Sequence, residues 1–126
     1  MTQPPKYVVG IGASAGGLEA IEGFFDHMQA NDEVTFIIAQ HLSPDFPSMM
    51  PDLLAHHTSR PIMTATNEMP LNPNVIYLIP ASFEAQIENH CFKLRKLHRE
   101  SSPQPISTLF ESLALAYGQF TIGIIL

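Results

Sequence analysis

The chain is short of cysteine and of basic residues, and it has no long apolar run. Cys91 is the single cysteine in 126 residues. A disulfide within the chain is therefore excluded, as suits a reducing cytoplasm. Lysine and arginine number 6 against 12 aspartates and glutamates, a formal net charge of −6. Binding nucleic acid by neutralising phosphates needs the opposite balance. No apolar stretch approaches the roughly 18 residues that span a membrane, so no membrane insertion is expected. The opening MTQPPKYVVGIGAS has no signal-peptide h-region, since glycine and serine follow too soon. HExxH and CxxC are missing too. His56 and His57 are adjacent, hence about 100° apart on a helix, and His27, His90 and His98 are isolated in sequence. Neither a metal site nor any other cofactor is expected. What remains is a cytoplasmic domain, 45% hydrophobic and 14% charged, with material for one core.

Periodicity predicts an alternating α/β chain. Tyr7 to Ile11 is a short apolar run that suits a buried strand. Leu18, Ile21, Phe25 and Met28 recur at helical spacing, predicting a helix from about residue 15 to 29. Val34 to Ala39 is a second strand, and the three elements form a βαβ unit with a parallel pair. A proline loop, HLSPDFP, precedes a helix predicted at about Ser48 to His57, with Pro51 in its first turn. Pro61 to Thr66 and Val75 to Ile79 are further strands. Phe83 to His98 alternates around Glu88-Asn89-His90 as an antiparallel hairpin. Ile106, Leu109, Phe110, Leu113 and Tyr117 line another helix, stopped by Gly118. Phe120 to Leu126, FTIGIIL, is expected as a last buried strand. Such a strand normally continues into a loop, so the chain is expected to be part of a longer protein. The fold expected is a doubly wound, mostly parallel α/β sheet with an antiparallel hairpin. Lys93, Arg95, Lys96 and Arg99 cluster near the hairpin; they form a solvated face or a docking patch for an acidic partner.

The stretch VVGIGASAGG, residues 8 to 17, is the densest in chemical possibilities. Gly10-x-Gly12-x-x-Ala15 meets the loose dinucleotide fingerprint, but no carboxylate ends the second strand to hold a ribose; Gln40-His41 stands there. Gly12-x-Ser14-x-Gly16 also meets the nucleophile-elbow pattern. There the helix-start N–H groups face a developing oxyanion. Ser14 could equally be a plain N-cap. His41 favours the nucleophile. In a βαβ unit both strands end on one sheet edge, about 4.8 Å apart, so loops at their tips can join Ser14 to a histidine base. A triad also needs a carboxylate, and Asp45, four residues on in a proline loop, suits that role poorly.

GIGASAGGLEAI, FIIAQHLSPDF, NVIYLIPA and PISTLFESLALAYGQFTIGIIL resemble, in order and spacing, the catalytic domain of the CheB chemotaxis methylesterases, from about residue 7 to 126. The HLSPDF variant most resembles esterase-like domains fused to CheR-type methyltransferases. The resemblance implies hydrolysis of glutamyl methyl esters on chemoreceptor-like proteins, with glutamine deamidation by the same acyl chemistry. It implies Ser14 as nucleophile, His41 as base and the backbone N–H of Ala15 as oxyanion donor. Position 15 is alanine where some members carry threonine. The family's aspartate sits in a motif T/S-G-x-G-x-D-G after the strand matching FTIGIIL, and these 126 residues do not contain it. The domain is thus expected to be incomplete and a poor esterase by itself, and a dimer through its C-terminal region is expected. These 126 residues hold no room for the receiver domain that typically precedes the esterase, and regulation of this chain by phosphorylation is not expected. The alternative is a non-catalytic module that recognises a receptor tail or docks a methyltransferase. An intact aspartate motif beyond Leu126 would discriminate in favour of the enzyme.

Overall fold

The computed structural model describes residues 3–14, 16–29, 31–40, 50–98 and 104–126. Strand β1 (Tyr7–Ala13) leads through helix α1 (Leu18–His27) to strand β2 (Val34–Gln40). Helix α2 (Met50–Leu54) follows, then β3 (Ile62–Thr64), β4 (Ile76–Leu78), the hairpin β5 (Phe83–Glu88) and β6 (Cys91–Lys96), helix α3 (Pro105–Tyr117) and β7 (Thr121–Ile125). Five strands form one sheet in the order β3-β4-β2-β1-β7, every pair parallel. The hairpin is a separate two-stranded antiparallel sheet. Among the described residues no helix is long and apolar enough to cross a membrane.

Alternation along β1 explains the two layers. Val9, Ile11 and Ala13 join Ile21 and Phe25 of α1 and Phe36 and Ile38 of β2 in one core. Val8 points the other way, into a core with Ile37, Tyr77, Leu109 and Leu113 of α3, and Ala85, Ile87 and Phe92 of the hairpin. Strands buried on both faces read as continuous apolar runs, which is why VTFIIA shows no alternation in sequence. Phe36 is fully buried, worth about 1.5–3 kcal/mol relative to exposure. Phe25 meets its ring edge-on at 5.0 Å, a geometry that adds about 0.5–1.5 kcal/mol.

Local chemistry sets the turns. Asn89 and His90 both have positive φ, 52° and 61°, as a two-residue type I′ hairpin turn requires. Gly118, with φ 54°, ends α3, a backbone state that glycine adopts without cost. Pro105 opens α3 at its first position, where a missing N–H costs nothing.

The first helix is shorter than the periodicity suggests. α1 starts at Leu18 because the chain is still turning at Ser14 to Gly17. The second helix is described only from Met50. Within these 126 residues one side of β7 is uncovered, as expected of a strand from a longer domain. It is the outermost strand, paired with β1 on one side alone. Ile122 is 57% and Ile125 67% exposed.

Candidate active site at the tip of the first strand

The glycines of the opening strand serve packing. A Cβ on Gly10 would lie 2.8 Å from Cδ1 of Leu113, and one on Gly12 would lie 2.5 Å from Cγ2 of Ile106. Both glycines let α3 sit close on the sheet. The ring of Phe110 covers Gly10 and its neighbour across the β1–β7 pair, Gly123. Side chains thus occupy the space that a pyrophosphate would need beside a dinucleotide fingerprint. Gly17 has a different task. A Cβ there would meet Ala13 Cβ at 2.9 Å and the Ser14 carbonyl at 3.1 Å, so the chain can fold back tightly only with glycine.

Ser14 stands at the apex of this elbow, exposed, one residue past the end of β1. It is not the helix cap. Gly17 occupies the N-cap position of α1, and no side chain caps that helix. The Ser14 carbonyl oxygen accepts the Gly17 N–H at 2.9 Å. The same oxygen accepts Nε2–H of Gln40 at 2.7 Å. Register explains the second bond: Ala13 pairs with Gln40, so the tips of β1 and β2 end level. β7 ends at this edge too, with Gly12 paired to Ile125 and the Leu126 N–H donating to the Gly12 carbonyl at 2.9 Å.

Topology singles out the same spot. From β1 the chain proceeds to β2 on one side, while β7 joins on the other. β1 is therefore where strand order reverses. In open α/β sheets, ligands bind beyond the carboxyl ends of the strands at such a point.

His41, Ala15 and Asp45 lie outside the described residues, as does Arg99 of the basic cluster. Gln40 was not singled out by the sequence for any role. The only signal available was a polar residue ending an apolar strand just before a candidate base. Lys93 pairs with Glu68 at 2.6 Å, and Arg95 pairs with the buried Glu84. Two of the clustered cations thus face acids of this same chain.

The perturbed titratable groups sit elsewhere. His57 follows α2 and places Nδ1 2.7 Å from Asp26 and Nε2 2.5 Å from Glu22, both on α1. The Asp26 hydrogen bond, seconded by the charges of Asp26 and Glu22, raises its pKa against a smaller desolvation effect. Adjacency to His56 gave no hint of this clasp. Burial, with the charge of Cys91 adding, pushes the Tyr117 hydroxyl up to about 12. Among the described residues, no group of three or more histidine, cysteine or acidic side chains is placed to hold a metal ion.

Fold and elbow together define the class: a doubly wound α/β domain with an exposed serine on a strand-to-helix turn at its switch point. The chain belongs to the CheB methylesterase family, whose family model matches residues 9–126. A protein-glutamate methylesterase/protein-glutamine glutaminase of Nitrosospira multiformis is 30% identical over 122 residues, covering 94% of this chain and 34% of that protein. One from Desulfitobacterium hafniense is 27% identical, covering 97% and 33%. The chain thus spans about a third of the length of these relatives. The crystal structure of the Thermotoga maritima CheB methylesterase catalytic domain superposes with a TM-score of 0.82 at 22% identity, over 94% of this chain and 66% of that one. It shares the fold.

Proposed function

We propose that this chain carries the nucleophile and base of a protein-glutamate methylesterase that also deamidates glutamine. The observation that carries it is the Gln40–Ser14 hydrogen bond of 2.7 Å. The residue that precedes His41 bonds the backbone carbonyl of the candidate nucleophile, which supports a histidine base after the tip of β2. In the mechanism, Ser14 Oγ attacks the ester carbonyl carbon while His41 takes the hydroxyl proton. The tetrahedral intermediate collapses, the proton passes to the leaving methoxide, and methanol departs. Water, activated by His41, then cleaves the acyl-serine to give glutamate and free serine. A glutamine side chain follows the same path with ammonia leaving. The oxyanion is held by backbone N–H groups after Ser14, that of Ala15 first. The orienting aspartate is expected from the Gly-rich motif outside these 126 residues. The substrate is a methylated chemoreceptor-like protein, and a CheR-type methyltransferase, fused or separate, is the opposing enzyme. The chain works in the cytoplasm.

The test is methanol release from a methylated receptor, with the chain as it stands and with it extended through the aspartate motif. The extended protein turns over, and Ser14→Ala lowers its rate by several orders of magnitude, because triad members act as a unit. The 126-residue chain stays near background, since loss of the orienting carboxylate costs about 10⁴ in kcat in serine proteases. Wild-type turnover by Ser14→Ala would remove the proposal and leave a binding module.

A further inference from the structure

We infer that Lys96 docks the substrate: it takes a carboxylate that flanks the esterified glutamate on the receptor-like protein. This rests on Ser14 being the nucleophile and names what the same site reads beyond the ester. Lys96 stands at the sheet edge that carries the elbow. Leu78 pairs with Ile38, and the Ile79 N–H donates to the Ile38 carbonyl at 3.0 Å. Two residues further on, Pro80 comes level with Gln40, which is itself level with Ala13. Two strand spacings, about 10 Å, therefore separate the end of β4 from the elbow. The hairpin begins at that end. The Phe83 N–H donates to the Pro80 carbonyl at 3.3 Å, and Phe83 pairs with Lys96.

Main-chain bonds fix the place of this cation. The ladder holds Lys96 against Phe83, and the next residue, Leu97, donates its N–H to the Ser82 carbonyl at 2.8 Å. Ser82 keeps φ 70° to receive it, a left-handed state unfavourable for a residue with a Cβ. Alternation sets the direction. Phe92 and Leu94 turn to the core, so Lys96 shares their face. It lies two residues past Leu94, where the core has ended, and it is exposed.

Charge sets Lys96 apart from its neighbours. Lys93 is engaged by Glu68 and Arg95 by Glu84, whereas among the described residues no acid pairs with Lys96. The whole chain carries −6, a field that repels an acidic segment except where a cation is presented. The proposed reaction makes such segments. Each ester or amide hydrolysed leaves a glutamate, so a site processed first becomes an acidic neighbour of the next. An extended substrate covers the span from elbow to Lys96 in about three or four residues.

The test measures peptide binding by fluorescence anisotropy, using the extended protein as Ser14→Ala so that nothing turns over. Labelled peptides carry a γ-methyl glutamate flanked at those positions by glutamate, serine or lysine. The glutamate peptide should bind about two- to fivefold tighter than the serine peptide, as an exposed ion pair allows, and added salt should shrink the difference. Lys96→Gln should abolish the preference, and Lys96→Glu should turn it toward the lysine peptide. Lys6→Glu makes the same charge change at an exposed position before the opposite end of β1, and should leave the preference in place. Equal binding of the glutamate and serine peptides with Lys96 present would overturn the inference. So would a loss from Lys6→Glu as large as that from Lys96→Glu, because bulk charge would then account for it. Methanol release by the extended protein with Ser14 intact is scored separately. No turnover with the flank preference intact removes the esterase proposal and leaves Lys96 as a docking residue.

Discussion

Gly12→Ala should destabilise the domain through one contact, and a second substitution should cancel the effect. A Cβ at residue 12 would stand 2.5 Å from Ile106 Cγ2, 3.1 Å from Ile106 Cγ1 and 3.1 Å from Ile125 Cδ1, where ordinary contact begins at 3.4 Å. The deficit against Cγ2 is about 1 Å. Ile125 is largely exposed and can swing away. Ile106 is on the first turn of α3 and packs against the core beneath the helix, so it cannot. Overpacking of this kind costs about 1–3 kcal/mol. The lower chain entropy of alanine in the unfolded state returns at most about 0.4–1 kcal/mol. A net loss of about 1–2 kcal/mol follows. Ile106→Ala alone, at a half-buried position, should cost less than the roughly 2–5 kcal/mol of a fully buried isoleucine. In that background both clashing carbons are gone, and the Gly12→Ala penalty should drop below about 0.5 kcal/mol, a coupling well beyond additivity error. Urea unfolding of the four proteins measures this, since slopes of about 1–3 kcal/mol per molar turn such losses into resolvable midpoint shifts. Equal Gly12→Ala penalties with and without Ile106 would refute the close-packing account of the first glycines and reopen a ligand role for them.

The His57 clasp should make stability depend on pH. Both ring nitrogens face carboxylates, and only the protonated ring donates from both. The folded pKa is raised above 6.5, so the contribution is complete below about 6.5 and is lost as pH rises through the folded value. His57→Gln should therefore be less stable than wild type near pH 6, with the gap closing as pH rises through the raised folded value; added salt should shrink it, because the pair is solvent-accessible. A pH-independent gap would disprove the ionic account. On β7, unpaired backbone lies beside exposed Ile122 and Ile125, and such edges recruit other chains. Light scattering of the 126-residue chain should show a species larger than 13.9 kDa, which Ile122→Lys should reduce. A monomer at all concentrations would count against association through this strand.

By itself the sequence determined the element types and the elbow. The βαβ unit, the hairpin around Glu88-Asn89-His90 and the glycine stop at Gly118 rest on local periodicity and on backbone preferences that neighbours a few residues away set. The serine turn was legible for the same reason: strand, small residues and helix are consecutive. Tertiary structure alone decided what those glycines are for. Gly10 and Gly12 meet α3, from the far end of the chain, and no local pattern encodes which helix will lie across a strand. It also decided that Gly17, and not Ser14, takes the N-cap position of α1, since the tight return over Ala13 delays the helix. The bond from Gln40 to Ser14 follows from strand order and register. Apolar content drives burial without direction, whereas order and register come from how whole layers pack. Residues distant in the chain therefore settled which helix would cover the glycines and which amide would reach the elbow.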